Sequence, residues 1–354
     1  VTLNGMADRL LKELAEELVA FPTPPPPVIQ QHAASAGSLA SSPLAIVGLG
    51  CRFPSNANIP AEYFKNLLDK VDSVIKPPSD RPHNGQPSGY LTSEVLERFD
   101  CEAFNITPSE ASTLDPQQRL LLHTAHDSFT EAGVKLDEVA NRKIGIFVGI
   151  TAVDYFMYSV GQVSKPSAYS GTSWSISIAA NRISFAYDLQ GPSISMDTAC
   201  SSALTATDVA IKSFRTGQIH TAMVGGVNVQ LLECWSDAFT RAGMLSVDYK
   251  CKFGDNGANG YVRGEGCGSV VVRSLDLAIE DCNPIYALML GSAVNQDGHS
   301  NGLTAPNPAM QEKLLVEAYE DAARPTARVV YLEAHGTGTR LGDPIEIHAM
   351  SRAP

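Results

Sequence analysis

Apolar positions along this chain follow two periods, and the switches between them predict its elements. Leu44-Ala45-Ile46-Val47-Gly48-Leu49-Gly50 reads as a buried strand with a glycine-rich exit. Comparable apolar runs predict strands at 144–150, 222–229, 268–272, 286–290 and 329–333, with helical patterns between them. Strands of continuous apolar character alternating with helices predict an α/β fold built on largely buried sheets. One helix start is unusually clear. Asp115 is a natural N-cap, Pro116 suits the first helical position, Gln118 completes a capping box, and the apolar pattern from Leu120 to Ala132 stops at Gly133. Residues 6–20 place Leu10, Leu11, Leu14, Leu18 and Val19 on one side and acids on the other, which predicts an amphipathic helix. It ends at the proline run from Pro22 to Pro27, and an Ala/Ser-rich stretch continues to Pro43. That composition predicts a semi-rigid, then flexible linker. The helix before it reads as a docking element, the tail of an upstream domain, or a solvated arm.

Composition narrows the class. With 44% hydrophobic and 18% charged residues in 354, the chain reads as a globular enzyme rather than a disordered one. A net charge of −12 and the lack of any Lys/Arg run argue against a nucleic-acid partner. No apolar run approaches the ~20 residues that span a bilayer, and the charged first residues do not form a secretory signal. The seven cysteines are scattered and never form C-x-x-C, so neither a disulfide framework nor a zinc site is expected. A reducing compartment follows, and the cytoplasm is the expected location.

One of those cysteines stands apart. In Asp197-Thr198-Ala199-Cys200-Ser201-Ser202, Cys200 sits between a small-residue strand, Ser193 to Met196, and a helix marked by Ala203, Leu204, Thr207, Ala210, Ile211 and Phe214 that stops at Gly217. A helix start carries partial positive charge and unpaired N–H groups, which favour a thiolate and can hold an oxyanion. A lone cysteine is ordinarily a small buried side chain; the position and the small neighbours of Cys200 point instead to a nucleophile. His335 closes the predicted strand 329–333 and opens Gly336-Thr337-Gly338-Thr339. Alone it would read as a core histidine, but beside an activated cysteine a Cys–His pair is the sharper expectation. Two other signals carry less. Gly48-Leu49-Gly50 lacks the third glycine of a dinucleotide loop, and Pro54 breaks the helix that should follow. His123 and His126 lie three apart without a third ligand at matching spacing, so packed or exposed histidines are expected, and no metal.

These residues resemble the β-ketoacyl synthase (ketosynthase) domains of polyketide synthases. The resemblance runs from about Leu44 to the last residues. Besides the cysteine motif it rests on Ala45 to Pro54, Leu114-Asp115-Pro116-Gln117-Gln118-Arg119-Leu120, Arg241 to Ser246, Gly260 to Gly266, Gly291 to Gly298, Glu333 to Thr339 and Leu341 to Glu346. It implies a thiolase-like fold of two similar halves in alternating α-β-α-β-α layers, with the second half incomplete here. On that reading residues 1–43 are helix and linker, 44–285 the first half with the nucleophile, and 286–354 the start of the second. It further implies that Cys200 takes an acyl group as a thioester, its backbone N–H forming part of the oxyanion hole. A malonyl-type unit then loses carbon dioxide, and its enolate attacks the thioester. His335 matches the first of two family histidines that assist decarboxylation. Thr337 and Thr339 match positions along the channel for the phosphopantetheine arm. The substrates arrive on an acyl carrier protein, the domain binds no cofactor of its own, and a homodimer is expected.

Several positions depart from the family pattern. Ala203 stands where a third serine is common, Asp208 where a histidine often sits, Gly254 for a phenylalanine and Asn259 for an aspartate, while His123 and His126 replace Glu and Trp. The family's second histidine and the lysine before it fall beyond Pro354. The sequence therefore reads as a fragment, expected to be poorly soluble and inactive by itself. A condensing enzyme, a ketosynthase that only passes acyl chains on, and a catalytically silent partner remain as alternatives; the intact cysteine and histidine motifs weigh against the last.

Overall fold

The structure is a computed structural model that describes residues 43–81, 85–134, 143–162, 166–323 and 329–353. The expected amphipathic helix and nearly all of the linker after it lie outside the described residues. Among the described residues eight strands are formed: β1 (Leu44–Arg52), β2 (Val74–Ile75), β3 (Ser88–Gly89), β4 (Ile144–Ile150), β5 (Ser193–Met196), β6 (Thr221–Asn228), β7 (Gly266–Ser274) and β8 (Ala287–Met289). Six of them make one mixed sheet in the order β5-β4-β6-β7-β1-β8, and β2 and β3 form a separate hairpin pair. β4 runs parallel to both β5 and β6, while β7 is antiparallel to β6 and to β1. All seven residues of β4 are buried, as its unbroken apolar run predicts.

The helix Pro116–Ala132 covers β1 and β7 on one face of this sheet. Its contact with β1 explains the glycines that mimic a dinucleotide loop. A Cβ at Gly48 would lie 2.1 Å from the Ser128 carbonyl oxygen, and one at Gly50 would lie 2.3 Å from that of Thr124. Both glycines sit inside the strand, which continues to Arg52, and they let helix and strand approach closely. His123 and His126 are packing residues of the same helix. His123 lies 5.3 Å from the Phe99 ring, and His126 meets Phe104 edge-on, with the two centroids 6.3 Å apart. Burial pushes the His123 imidazole down to about 4.

Three expectations need correction. The run 329–333 is not a buried strand: Val330 is 86% exposed and Tyr331 55% exposed, and the segment joins no ladder among the described residues. Apolar character alone cannot make a strand, because a strand exists only where a neighbour supplies hydrogen-bond partners. The strand expected over 286–290 shrinks to β8, with Ala287 and Leu288 exposed at the sheet edge. The capping box is not formed either. The Asp115 carboxylate accepts the Gln117 N–H at 2.8 Å, but Gln118 turns away from the helix start. Its amide donates to the Thr172 and Ser173 carbonyls and its oxygen accepts the Arg182 Nε–H at 2.7 Å.

Asp115 is buried, and desolvation pushes its carboxyl up to about 6. The folded chain therefore holds this proton more tightly than the unfolded chain does. Stability should fall as pH rises from the ordinary carboxylate range to about 6 and then level off. The full span corresponds to about 3 kcal/mol. Denaturant unfolding at pH 4.5 and 7 should show about 2 kcal/mol of that loss in the native protein, and a flatter profile in Asp115→Asn, whose amide carries no titration.

Candidate active site

The strand-to-helix turn at Cys200 forms where the sequence places it. β5 ends at Met196, and the helix Ser202–Arg215 begins two residues after the cysteine, ending before Gly217 at φ +69°. The turn is tight. Ala199 adopts φ +56°, a left-handed conformation that costs a non-glycine residue free energy. Its neighbours hold it there. The Asp197 carboxylate accepts the Ala199 N–H at 2.9 Å and the Thr151 hydroxyl at 2.8 Å. The Ser202 hydroxyl accepts the Thr198 N–H at 2.8 Å and donates to the Ala199 carbonyl at 2.7 Å. Below the turn the helix lies directly on β4, where a Cβ at Gly149 would sit 2.6 Å from the Ala203 nitrogen. Asp197 and Ser202 are thus structural parts of the site, a role that local sequence does not assign them.

His335 arrives from the far end of the chain. Its Nε2 lies 3.9 Å from the Cys200 Sγ, across 135 positions of sequence. Both side chains are open to solvent. The hydrogen bond to His335 lowers the Cys200 thiol below its usual range, and the Cys200 and Ser201 N–H groups add to the effect against the cost of partial burial. The same bond raises the His335 imidazole. Each partner shifts toward its charged form, as a thiolate–imidazolium pair requires.

The loop carrying His335 is held by two acids that lie in a sequence motif but have no task legible there. Glu346 accepts the backbone N–H of His335 at 2.6 Å and that of Gly336 at 2.9 Å. Asp343 accepts the Gly338 N–H at 3.0 Å with one oxygen and the Gly254 N–H at 3.0 Å with the other. Gly338, at φ +68°, packs so closely that a Cβ would lie 2.9 Å from the Lys252 nitrogen. Thr337 and Thr339 follow on this loop, half-buried, their hydroxyls 3.2 Å apart. Glu346→Gln should keep the shape but replace one carboxylate acceptor oxygen with an amide group that donates. The expected result is a His335 loop cut several-fold faster by limited proteolysis, with the global melting temperature lowered by only a few degrees.

Among the described residues no group of three His, Cys, Asp or Glu side chains is placed to hold a metal, and no helix is long and apolar enough to cross a membrane.

Comparison with known proteins decides the family. The profile described as "Beta-ketoacyl synthase, N-terminal domain" matches residues 41–278, and "Beta-ketoacyl synthase, C-terminal domain" matches 286–353. The chain belongs to the β-ketoacyl synthase family. Its relatives are polyketide synthases. This ketosynthase chain is 40% identical over 329 residues to a phenolphthiocerol/phthiocerol polyketide synthase of Mycobacterium tuberculosis, covering 88% of this chain and 15% of that protein. It is 38% identical over 325 residues to probable polyketide synthase 1 of Dictyostelium discoideum, covering 88% of this chain and 10% of that one. Among solved structures, the ketosynthase from module 6 of the bacillaene synthase of Bacillus subtilis superposes with a TM-score of 0.80 at 38% identity, over 88% of this chain and 54% of that one. The fold is therefore thiolase-like, and the chain spans about half of that ketosynthase and less than a fifth of the curated relatives named here.

Proposed function

We propose that this ketosynthase carries out a decarboxylative Claisen condensation, with Cys200 as nucleophile and His335 in the decarboxylation site. The observation that carries the reading is the 3.9 Å approach of Sγ to Nε2 at the start of a helix. In the first step the Cys200 thiolate attacks the carbonyl carbon of an acyl thioester borne on the phosphopantetheine arm of an acyl carrier protein. A C–S bond to the enzyme forms as the C–S bond to the arm breaks, and the released arm thiolate takes up a proton. The Cys200 backbone N–H, at the turn into the helix, can donate to the oxyanion that develops between these events. In the second step a malonyl-type thioester on a carrier arm loses carbon dioxide, and the electron pair of the broken C–C bond passes into an enolate. The His335 imidazole holds the enolate oxygen. The enolate carbon then attacks the acyl-Cys200 thioester, forming the new C–C bond and expelling the Cys200 thiolate. Thr337 and Thr339, beside His335, line the path of the arm on this reading.

The boundaries follow the same reading: residues 44–285 belong to the nucleophile half and 286–354 to the histidine half. A second copy of the chain would pair along β5, one of the two outer strands of the sheet, where Ile194 is 40% exposed. The test, made on the full-length protein, is acyl transfer from a phosphopantetheine thioester to Cys200, read by peptide mass mapping, followed by addition of a malonyl-loaded carrier protein. An acyl-Cys200 adduct that is consumed on adding the malonyl carrier supports the proposal. An adduct that persists unchanged would limit the chain to acyl transfer, and no adduct at Cys200 would overturn it.

A further inference from the structure

Cys200 and His335 belong to different family segments, 41–278 and 286–353. Their separation is therefore set by whatever fixes the nucleophile helix against the second segment. One face of that helix carries Asp208, Lys212 and Arg215, at spacings of four and three that bring them into line. Asp208 is only 3% exposed, and its carboxylate accepts the Ser292 hydroxyl at 2.8 Å and pairs with Lys212 at 2.6 Å. At the end of the same face, Arg215 grips Asp321 with both terminal nitrogens, each at 2.7 Å. Asp321 closes the ring by accepting the Ser292 N–H at 2.8 Å.

From this ring a continuous set of contacts leads to the imidazole. Asp321 lies at the end of the helix Pro308–Ala322, so close to the Ser292 segment that a Cβ at Gly291 would lie 2.5 Å from the Ala322 nitrogen. That helix packs on the helix Gly342–Arg352 and is joined to it by Arg352 and Glu312 at 3.1 Å. Gly342–Arg352 carries Asp343 and Glu346, which hold the backbone of the His335 loop. The nucleophile helix and the histidine loop are thus braced through two helices.

We propose that Asp208 and Asp321 are positioning residues whose contacts at Ser292 and Arg215 register the nucleophile helix against the second segment and so set the Cys200–His335 approach. The inference rests on the reading of Cys200 and His335 as a working pair. Removing Asp208 leaves the Ser292 hydroxyl without its acceptor, frees the helix face to shift, and weakens the bond between sulfur and imidazole.

The pH profile of iodoacetamide alkylation at the Cys200 peptide, followed by mass spectrometry in the full chain, reads that bond directly. The charged and titratable groups facing the pair are few. Tyr261 faces the sulfur, and the Glu346 and Asp343 carboxylates face the imidazole; none is altered by these variants. Asp208→Ala should move the midpoint upward and slow alkylation at neutral pH by about tenfold for each unit of that shift. Asp208→Asn keeps an acceptor for Ser292 and should restore most of the native profile. Asp321→Ala loosens the ring from its other side and should repeat the Asp208→Ala result, which keeps the test open if Asp208→Ala does not fold. In a His335→Ala background, Asp208→Ala should change nothing further, because the brace acts through the imidazole. A His335→Ala shift with none from either aspartate variant overturns the brace alone. An aspartate effect of equal size in the His335→Ala background also overturns it. No shift from His335→Ala itself removes both the brace and the Cys–His reading beneath it.

Discussion

Cys200→Ala should leave no covalent acyl adduct on the protein. Incubated with an acyl-pantetheine thioester, the native full-length protein should gain the mass of one acyl group on the peptide containing Cys200, and the variant should gain none there. The effect is expected to be complete because no neighbour can replace the sulfur. The adjacent hydroxyls are committed: Ser201 donates to the Thr198 carbonyl at 2.9 Å, and Ser202 donates to the Ala199 carbonyl at 2.7 Å. The other exposed cysteines, Cys234, Cys251 and Cys282, lie outside the turn at the helix start, and their peptides serve as internal controls. The variant should fold, since Cys200 is exposed and the backbone bonds that hold the turn do not use its side chain. An adduct at Cys200 in the native protein that survives in number when the residue is alanine would falsify the assignment.

His335→Ala should separate two steps that Cys200→Ala removes together. Loading should persist, since the helix start still favours the thiolate, though its pH profile should move upward as the hydrogen bond to Nε2 is lost. The sign follows from the cause: a bond that favours the charged thiolate lowers the thiol, and its removal returns the thiol toward its ordinary range. Condensation with a malonyl carrier, read as release of carbon dioxide and formation of the 3-oxoacyl product in the full-length protein, should fall by about 10²- to 10⁴-fold, the usual contribution of a placed acid–base group. The expected pattern is therefore a nearly intact acyl-enzyme that is not consumed. Loss of loading with decarboxylation preserved would reverse the two roles.

Much of this site was legible from local sequence. The turn at Cys200 is written in a short strand, a run of small residues and an amphipathic helix, all within about 25 positions. Such features depend on near neighbours, and the structure reproduces them from Ser193 to Gly217. The buried strand β4 was legible for the same reason: seven consecutive apolar residues need cover on both faces. Features that depend on distant partners were not legible. The run 329–333 has the composition of a strand but joins no ladder among the described residues, because pairing is supplied by another segment and not by the run itself. Gln118 has the spacing of a capping box, yet the carbonyls at Thr172 and Ser173 and the Arg182 guanidinium compete successfully for its amide.

What the sequence determined alone was the α/β class of chain, the buried strand β4 and the turn that presents Cys200; it singled out Cys200 and His335 only as candidates. Tertiary structure decided how those side chains meet. The 3.9 Å approach of Cys200 to His335 spans 135 positions, the loop bearing the histidine is held by Glu346 and Asp343 from the helix that follows, and Asp208 and Asp321 join the two segments through Ser292. Each of these is a hydrogen bond between groups far apart in sequence. Its geometry exists only after the helices and sheet have packed, and no local pattern of residues records it.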